Sequence, residues 1–281
     1  MAITAQAVKE LRDRTGAGMM DCKKALTETG GDIDEAIKFL RTKGLAAAAK
    51  KAGRAANDGM VAIVGDEHKM AMVELNCETE PVSKLDDFRE FGLALANQVL
   101  ELGATSVDEL KAQPFAGDPE HTVEETVSLK IALIGENIVL NRVALVEAAA
   151  GNSLASYLHM GGKIGVVVEG SADAEALHDV ALHVAASEPR FVSRDEVTDE
   201  LLDTEREIAL KQAMDAGKPE EIAKRIVEGK MEKFFVQEVL LEQAFAKDPD
   251  KSVQQYLKDK SGDDATVVGF SRFKLGEGSG E

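Results

Sequence analysis

The chain has 281 residues, 44% of them hydrophobic, and its 33 basic against 51 acidic side chains give a formal net charge of -18. That much apolar material can bury cores for two domains or slightly more, which excludes a disordered chain. The acidic balance excludes nucleic-acid binding by broad phosphate neutralisation, and a composition with no Trp and two Tyr lacks stacking platforms for single strands.

Met1 to Ala5 shows no basic segment leading into an apolar run, and no uncharged stretch is long enough for a bilayer, so a soluble cytoplasmic chain is expected. Cys22 and Cys77 lack a paired spacing and read as reduced thiols.

At the N-terminus, Thr4 supplies an N-cap and Val8 and Leu11 recur at helical spacing. A glycine-bracketed loop, Thr15 to Gly18, leads into a second helix over 19–29. Gly30-Gly31 ends it, Asp32 caps a third, and Ile33, Ala36, Ile37 and Leu40 form a stripe that is expected to stop near Gly44. The pattern predicts a compact three-helix domain of the ubiquitin-associated type. An alanine-rich linker helix over 45–56, carrying Lys50, Lys51 and Arg54 after Lys43, completes a first domain of 1–56.

Beyond Asn57-Asp58-Gly59 the period changes to that of strands, at 60–64 and 70–75. A helix with Phe88, Phe91, Leu95 and Val99 covers them, followed by a polar loop over 104–121, a helix over 122–134 and a strand over 137–149. A comparable unit follows: strands at 154–157 and 163–169 around Met160-Gly161-Gly162, a covering helix over 174–186, and a returning strand over 266–275. The fold class read from this is α+β, with two related core modules at 57–140 and at 141–186 plus 229–275. Residues 187–228 are an insertion. Val197, Leu201, Thr204 and Ile208, then Ile222, Ile226, Met231 and Phe235 beyond a Gly217-Lys218-Pro219 turn, predict an antiparallel helical hairpin of coiled-coil type. Residues 276–281 read as a flexible tail.

Chemistry is sparse. His68, His121, His159, His178 and His183 suggest no ligand set, since even the two nearest, five residues apart, stand about 140° round a helix. No phosphate loop, serine elbow or cysteine triad is present, so neither an enzyme nor a cofactor or metal is expected. Cys77 reads as a packed side chain at a strand end. The basic run from Lys43 to Arg54 reads as a solvated face or a contact to an acidic protein ahead of an RNA site. For Met19-Met20 two readings stand level: an adaptable apolar surface for a partner, or one core residue beside one exposed.

The most informative stretch is Glu74-Leu75-Asn76-Cys77-Glu78-Thr79-Glu80-Pro81-Val82-Ser83-Lys84, where a strand passes through small acceptors into a helix start, a junction suited to presenting groups to a partner. It resembles a signature of the bacterial translation elongation factor Ts family, in which Asp-Phe stands at Glu80-Pro81. Val8 to Leu26, with Thr15-Gly16-Ala17-Gly18-Met19-Met20 at its centre, resembles the family's other signature. Lys50 to Gly53, Ile134 to Asn137, Tyr157 to Val166, Ala185 to Ser187 and the Gly217-Lys218-Pro219 turn extend the likeness along nearly the whole chain.

The resemblance implies a guanine-nucleotide exchange factor for elongation factor Tu in protein biosynthesis. In that family, residues matching Lys9, Arg12, Met19 and Met20 grip the partner's nucleotide-binding domain. Those matching Tyr157, His159, Gly161 and Gly162 hold its third domain. The segment matching Glu80, Pro81, Val82 and Ser83 dislodges Mg²⁺ so that GDP leaves. Pro81 suits the first turn of a helix that should run on to Phe88, but the aromatic wedge is missing, so binding with slowed exchange is expected. The alternative is a binding or chaperone-like partner without exchange activity. A homodimer or two-plus-two complex through the hairpin and a one-to-one monomer are both compatible with the sequence. Family members often continue past Gly276-Glu277-Gly278 into a further helix that touches the partner, so that contact is not expected in a sequence running to Glu281.

Overall fold

A computed structural model describes residues 3–277, which divide into two compact units. The first comprises residues up to 64, 71–145 and the segment from 273 on; the second comprises 65–70 and 146–272. Of the expected tail, Gly276 and Glu277 form a turn, and 278–281 lie outside the described residues.

The first unit opens with α1 (Ala5–Thr15), α2 (Met19–Glu28) and α3 (Ile33–Lys51). Thr4 Oγ1 accepts from the Ala7 N–H at 3.2 Å and an Asp32 carboxylate oxygen from the Glu35 N–H at 3.0 Å, which sets two of the three starts. Val8, Leu11, Cys22, Ala25, Leu26, Ala36 and Leu40 form their shared core. The expected break near Gly44 is absent, and the linker helix is the second half of α3. Gly44 marks a close approach: a Cβ there would stand 3.3 Å from Leu129 Cδ2 and 3.7 Å from the Ala132 Cβ.

Next come β1 (Asp58–Gly65), β2 (Lys69–Cys77), α4 (Glu80–Ser83), α5 (Asp86–Leu102), α6 (Val107–Ala112), β3 (Pro114–Phe115), β4 (Asp118–Thr122), α7 (Val123–Ile134) and β5 (Ile138–Glu147). The sheet order is β1-β2-β5, and Phe88, Phe91, Leu95 and Val99 of α5 pack with Met60, Val73, Leu75, Ile138 and Leu140. Two expectations are corrected here. The segment 104–121, read as a loop, holds α6, capped by Ser106 Oγ, which accepts from the Glu109 N–H at 3.2 Å, and the β3–β4 pair. The helix of Phe88 does not begin at Thr79, because Leu85 adopts an extended backbone (φ -66°, ψ 135°) and separates the single turn α4 from α5. Asp86 and Asp87 then favour a fresh helix start by facing its positive end.

In the second unit β6 (Ser153–His159) pairs antiparallel with β7 (Ile164–Gly170), in register from Ser153–Gly170 to His159–Ile164. Then follow α8 (Ala174–Ser187), α9 (Asp199–Asp215), α10 (Glu220–Glu238), β8 (Ala244–Phe245), β9 (Asp248–Ser252), α11 (Val253–Ser261) and β10 (Val267–Lys274), with sheet order β10-β7-β6. Val166, Val168, Leu177, Val180, Val184, Leu240, Phe245 and Leu257 are central in the core. The helical pair α9–α10 is present, but its seam differs from the expected stripe. Ala209, Ala213 and Ala223 are buried with Met231 and Phe235, whereas Ile208 and Ile222 are exposed. Small side chains let the two axes approach, and the branched ones turn outward.

The relatedness of the two modules extends to atoms. Gln113-Pro114-Phe115-Ala116-Gly117-Asp118-Pro119 and Gln243-Ala244-Phe245-Ala246-Lys247-Asp248-Pro249 occupy equivalent positions. Their small hairpins share a register, Pro114–Thr122 and Phe115–Asp118 against Ala244–Ser252 and Phe245–Asp248. In the first, Gln98 Nε2 donates to Gln113 Oε1 at 3.0 Å and Gln98 Oε1 accepts from the Ala116 N–H at 2.9 Å. In the second, His183 Nε2 donates to Gln243 Oε1 at 2.8 Å and Nδ1 accepts from the Ala246 N–H at 3.1 Å. A neutral imidazole therefore replaces a carboxamide.

Burial lowers the His183 pKa from its ordinary value of 6.5, so the unfolded chain takes up a proton at a pH where the folded chain still resists it. Its stabilising contribution is complete above about pH 6.5 and declines below that value. Denaturant melts across that range should show His183→Gln close to the parent chain and without this component of the slope. His183→Leu, which strands Gln243 Oε1 and the Ala246 N–H, should cost about 2 kcal/mol or more.

Candidate functional site

The signature segment divides into a buried strand and an exposed turn. Glu74, Leu75, Asn76 and Cys77 are all buried in β2, so these four present nothing outward. Burial pushes the Cys77 thiol up to about 12, and its Sγ donates to the Thr79 carbonyl at 3.3 Å, the behaviour of a packed side chain and not of a nucleophile. Glu74 accepts from Arg142 Nε at 2.6 Å and from Asn76 Nδ2 at 3.1 Å. Arg142 Nη2 in turn donates to the Lys274 carbonyl at 2.8 Å, with the guanidinium 4.5 Å from the centre of the Phe273 ring.

Past Cys77 the chain turns outward. Thr79 has extended backbone and begins α4, with Glu80 and Pro81 at its first positions. Glu80 and Pro81 are exposed, Val82 packs on the core of the first unit, and Ser83 is buried with its Oγ donating to the Glu80 carbonyl at 2.8 Å. Lys84 Nζ lies 3.2 Å from Glu80 Oε1 across this turn. Two carboxylates hold the entry. Glu136 accepts from the Thr79 N–H at 3.0 Å and from its hydroxyl at 2.6 Å, and Glu78 Oε1 accepts from the Asn137 N–H at 2.6 Å. Asn137 Nδ2 donates to the Arg54 carbonyl at 2.8 Å, and Arg54 Nη1 donates to Glu78 at 3.3 Å. Glu136 and Thr79, like Glu78 and Asn137, are more than fifty residues apart in sequence, so no local pattern points to them.

Both members of the methionine pair lie at the surface. Met19 is 60% and Met20 73% exposed at the start of α2, while Cys22, Ala25 and Leu26 fill the core. Lys9 and Arg12 are also exposed on α1. The basic run is largely committed within the fold: Lys43 pairs with Asp21, Lys51 Nζ donates to the Ile131 carbonyl at 3.2 Å, and Arg54 meets Glu78.

In the second unit the end of β6 carries Tyr157 and His159, both half-buried, with the Tyr157 hydroxyl 3.1 Å from His159 Nδ1. His178 Nδ1 donates to the Ser156 carbonyl at 2.9 Å and its ring meets Tyr157 edge-on at 5.7 Å. Met160, Gly161 and Gly162 all have positive φ, at 51°, 70° and 99°. Gly161 is exposed, Gly162 is buried, and Met160, 66% exposed, projects at the tip. A left-handed methionine is uncommon, and here it lies in a tight turn between two paired strands. Among the described residues no cluster of His, Cys, Asp and Glu could hold a metal ion, and no helix is long and apolar enough to cross a membrane.

Residues 78–277 match the family model described as elongation factor TS. The chain belongs to the elongation factor Ts family. An elongation factor Ts from Trichlorobacter lovleyi is 45% identical, in an alignment covering 99% of this chain and 94% of that protein. The family match begins at Glu78, the residue at which β2 gives way to the exposed turn.

Proposed function

We propose that this chain binds elongation factor Tu carrying GDP and promotes release of the nucleotide, acting in the cytoplasm during translation elongation. Family membership supports the partner, and the observation that carries the reading is the outward display of Glu80 and Pro81 from an entry held by two carboxylates. No covalent bond is made or broken. The protein stabilises the partner's nucleotide-free state, a population shift driven by differential binding. In this reading α4 reaches toward the Mg²⁺ beside the nucleotide, and removal of that ion exposes phosphate charge it had neutralised. Lys9, Arg12, Met19 and Met20 engage the nucleotide-binding domain, and Tyr157, His159, Gly161 and Gly162 engage the third domain. Residues 1–56, 57–140, 141–186 with 229–275, and the hairpin 187–228 serve as separate functional parts, and the hairpin's outward isoleucines leave room for a second copy.

Titration of the chain into elongation factor Tu with GDP, followed calorimetrically, tests the contact. Met19→Ala with Met20→Ala should weaken binding by about tenfold or more while leaving the melting temperature nearly unchanged, because both side chains are exposed. Equal affinity for the parent and the double variant would remove the N-terminal helices from the interface.

A second reading, a holder that binds without accelerating release, is favoured by one residue. Pro81 stands where the family resemblance places an aromatic side chain, and it offers a smaller apolar surface.

A further inference from the structure

The two modules provide an internal control for the junction at α4. In the second unit β7 ends at Gly170, and the Thr266 N–H donates to Ser171 Oγ at 3.2 Å. Ser171 thus does for Thr266 what Glu78 does for Asn137: one side chain closes the end of one strand onto the start of its neighbour. There the resemblance ends. The second unit has no counterpart of α4, because the chain passes through Ala172 to Asp173, which caps α8 itself by accepting from the Ala176 N–H at 2.9 Å.

Ala265 occupies the position corresponding to Glu136, and an alanine side chain cannot accept a hydrogen bond. The second unit's junction closes instead through Ser171 and through Ser261 Oγ, which accepts from the Asp173 N–H at 3.1 Å and donates to an Asp173 carboxylate oxygen at 2.8 Å. The two bonds from Glu136 to Thr79 accompany the extra turn, and no carboxylate stands at the corresponding position of the second unit. They fall on the residue whose carbonyl accepts from both the Ser83 N–H, at 3.3 Å, and the Cys77 thiol, at 3.3 Å. Fixing Thr79 by its N–H and its hydroxyl at once leaves its backbone little freedom to rotate, and α4 leaves the body in one direction.

We infer that Glu136 is a positioning residue: its carboxylate holds Thr79 so that α4 meets the partner preset, and the exchange step depends on that preset direction. The inference rests on the exchange-factor reading. It differs from a structural role in predicting that global stability, and affinity contributed by other surfaces, survive loss of the carboxylate. What suffers is the step that requires α4 to arrive in the correct direction.

The test compares the full-length chain with its Glu136→Ala and Glu136→Gln variants by two readouts. One is amide hydrogen exchange at Ser83, Lys84 and Leu85, whose N–H groups bond within or just after α4. The other is the concentration dependence of GDP release from elongation factor Tu. Glu136→Ala should raise amide exchange at those three positions about tenfold, and lower the maximal release rate by about the same factor, with the half-saturating concentration and the protection of α5 unchanged. Glu136→Gln, which keeps neutral hydrogen bonds to Thr79, should fall between the two. Unchanged protection at the three amides would overturn the inference, as would lost protection spread through β2 and α5, or lost protection with undiminished release. Should the unmodified chain leave GDP release at its spontaneous rate, the exchange reading itself fails. The amide readout then still decides whether Glu136 holds the turn.

Discussion

Pro81→Phe is expected to accelerate GDP release from elongation factor Tu by about thirtyfold at equal protein concentration. Pro81 is exposed at the second position of α4, so an aromatic ring placed there enters no existing packing. A buried aromatic anchor at the centre of an interface typically contributes about 2 kcal/mol or more, which corresponds to roughly that factor. The cost to the fold is small, because proline's missing N–H lies in the first turn, where a helix donor has no partner within the helix. Stopped-flow release of a fluorescent GDP, measured for parent and variant across a concentration series, checks the expectation. A maximal rate unaltered by the ring would show that the contacts around α4, and not a wedge at this position, distort the nucleotide site.

Arg142→Met should destabilise the first unit by about 3–5 kcal/mol, the usual result of leaving a buried charge without its partner. Glu74 is fully buried and accepts from Arg142 Nε at 2.6 Å. Arg142 also donates to the Lys274 carbonyl and covers the Phe273 ring. The single substitution therefore strands a carboxylate and loosens the returning segment together. Removing the charge from the other side as well, with Glu74→Gln in the same chain, should recover a large part of the loss. Guanidinium denaturation of the parent, single and double variants measures it. A single-variant midpoint equal to that of the parent would mean that water reaches Glu74 and that the pair contributes little.

Much of the architecture is legible in the sequence because it is written locally. Thr4, Asp32, Thr122 and Asp173 cap helices that begin one residue later, and the change of apolar period after Gly59 coincides with β1. The misreadings occur where a distant partner decides. Gly44 looks like a terminator until α7 is found against it, and the helix and strands of 104–121 are too brief for periodicity to register. At the α9–α10 pair Val197, Met231 and Phe235 are buried as their spacing predicts, but Ile208 and Ile222 are exposed and Ala209, Ala213 and Ala223 are buried in the seam.

The candidate site divides in the same way. Its outward residues, Met19, Met20, Pro81, Met160 and Gly161, could be named from motifs. Their geometry could not, because Glu136 reaches Thr79 and Glu78 reaches Asn137 across more than fifty residues. Within the signature, Glu74, Asn76 and Cys77 carry structure, and the exposed part is confined to the turn that follows them.

The most direct measurement is the rate of GDP release from elongation factor Tu at increasing concentrations of the unmodified chain, followed by stopped flow alongside an equilibrium binding curve. The account predicts a release rate that rises with concentration and saturates above the spontaneous rate, at concentrations matching the binding curve. Tight binding with release fixed at the spontaneous rate would contradict it and leave a protein that holds elongation factor Tu without emptying its nucleotide site.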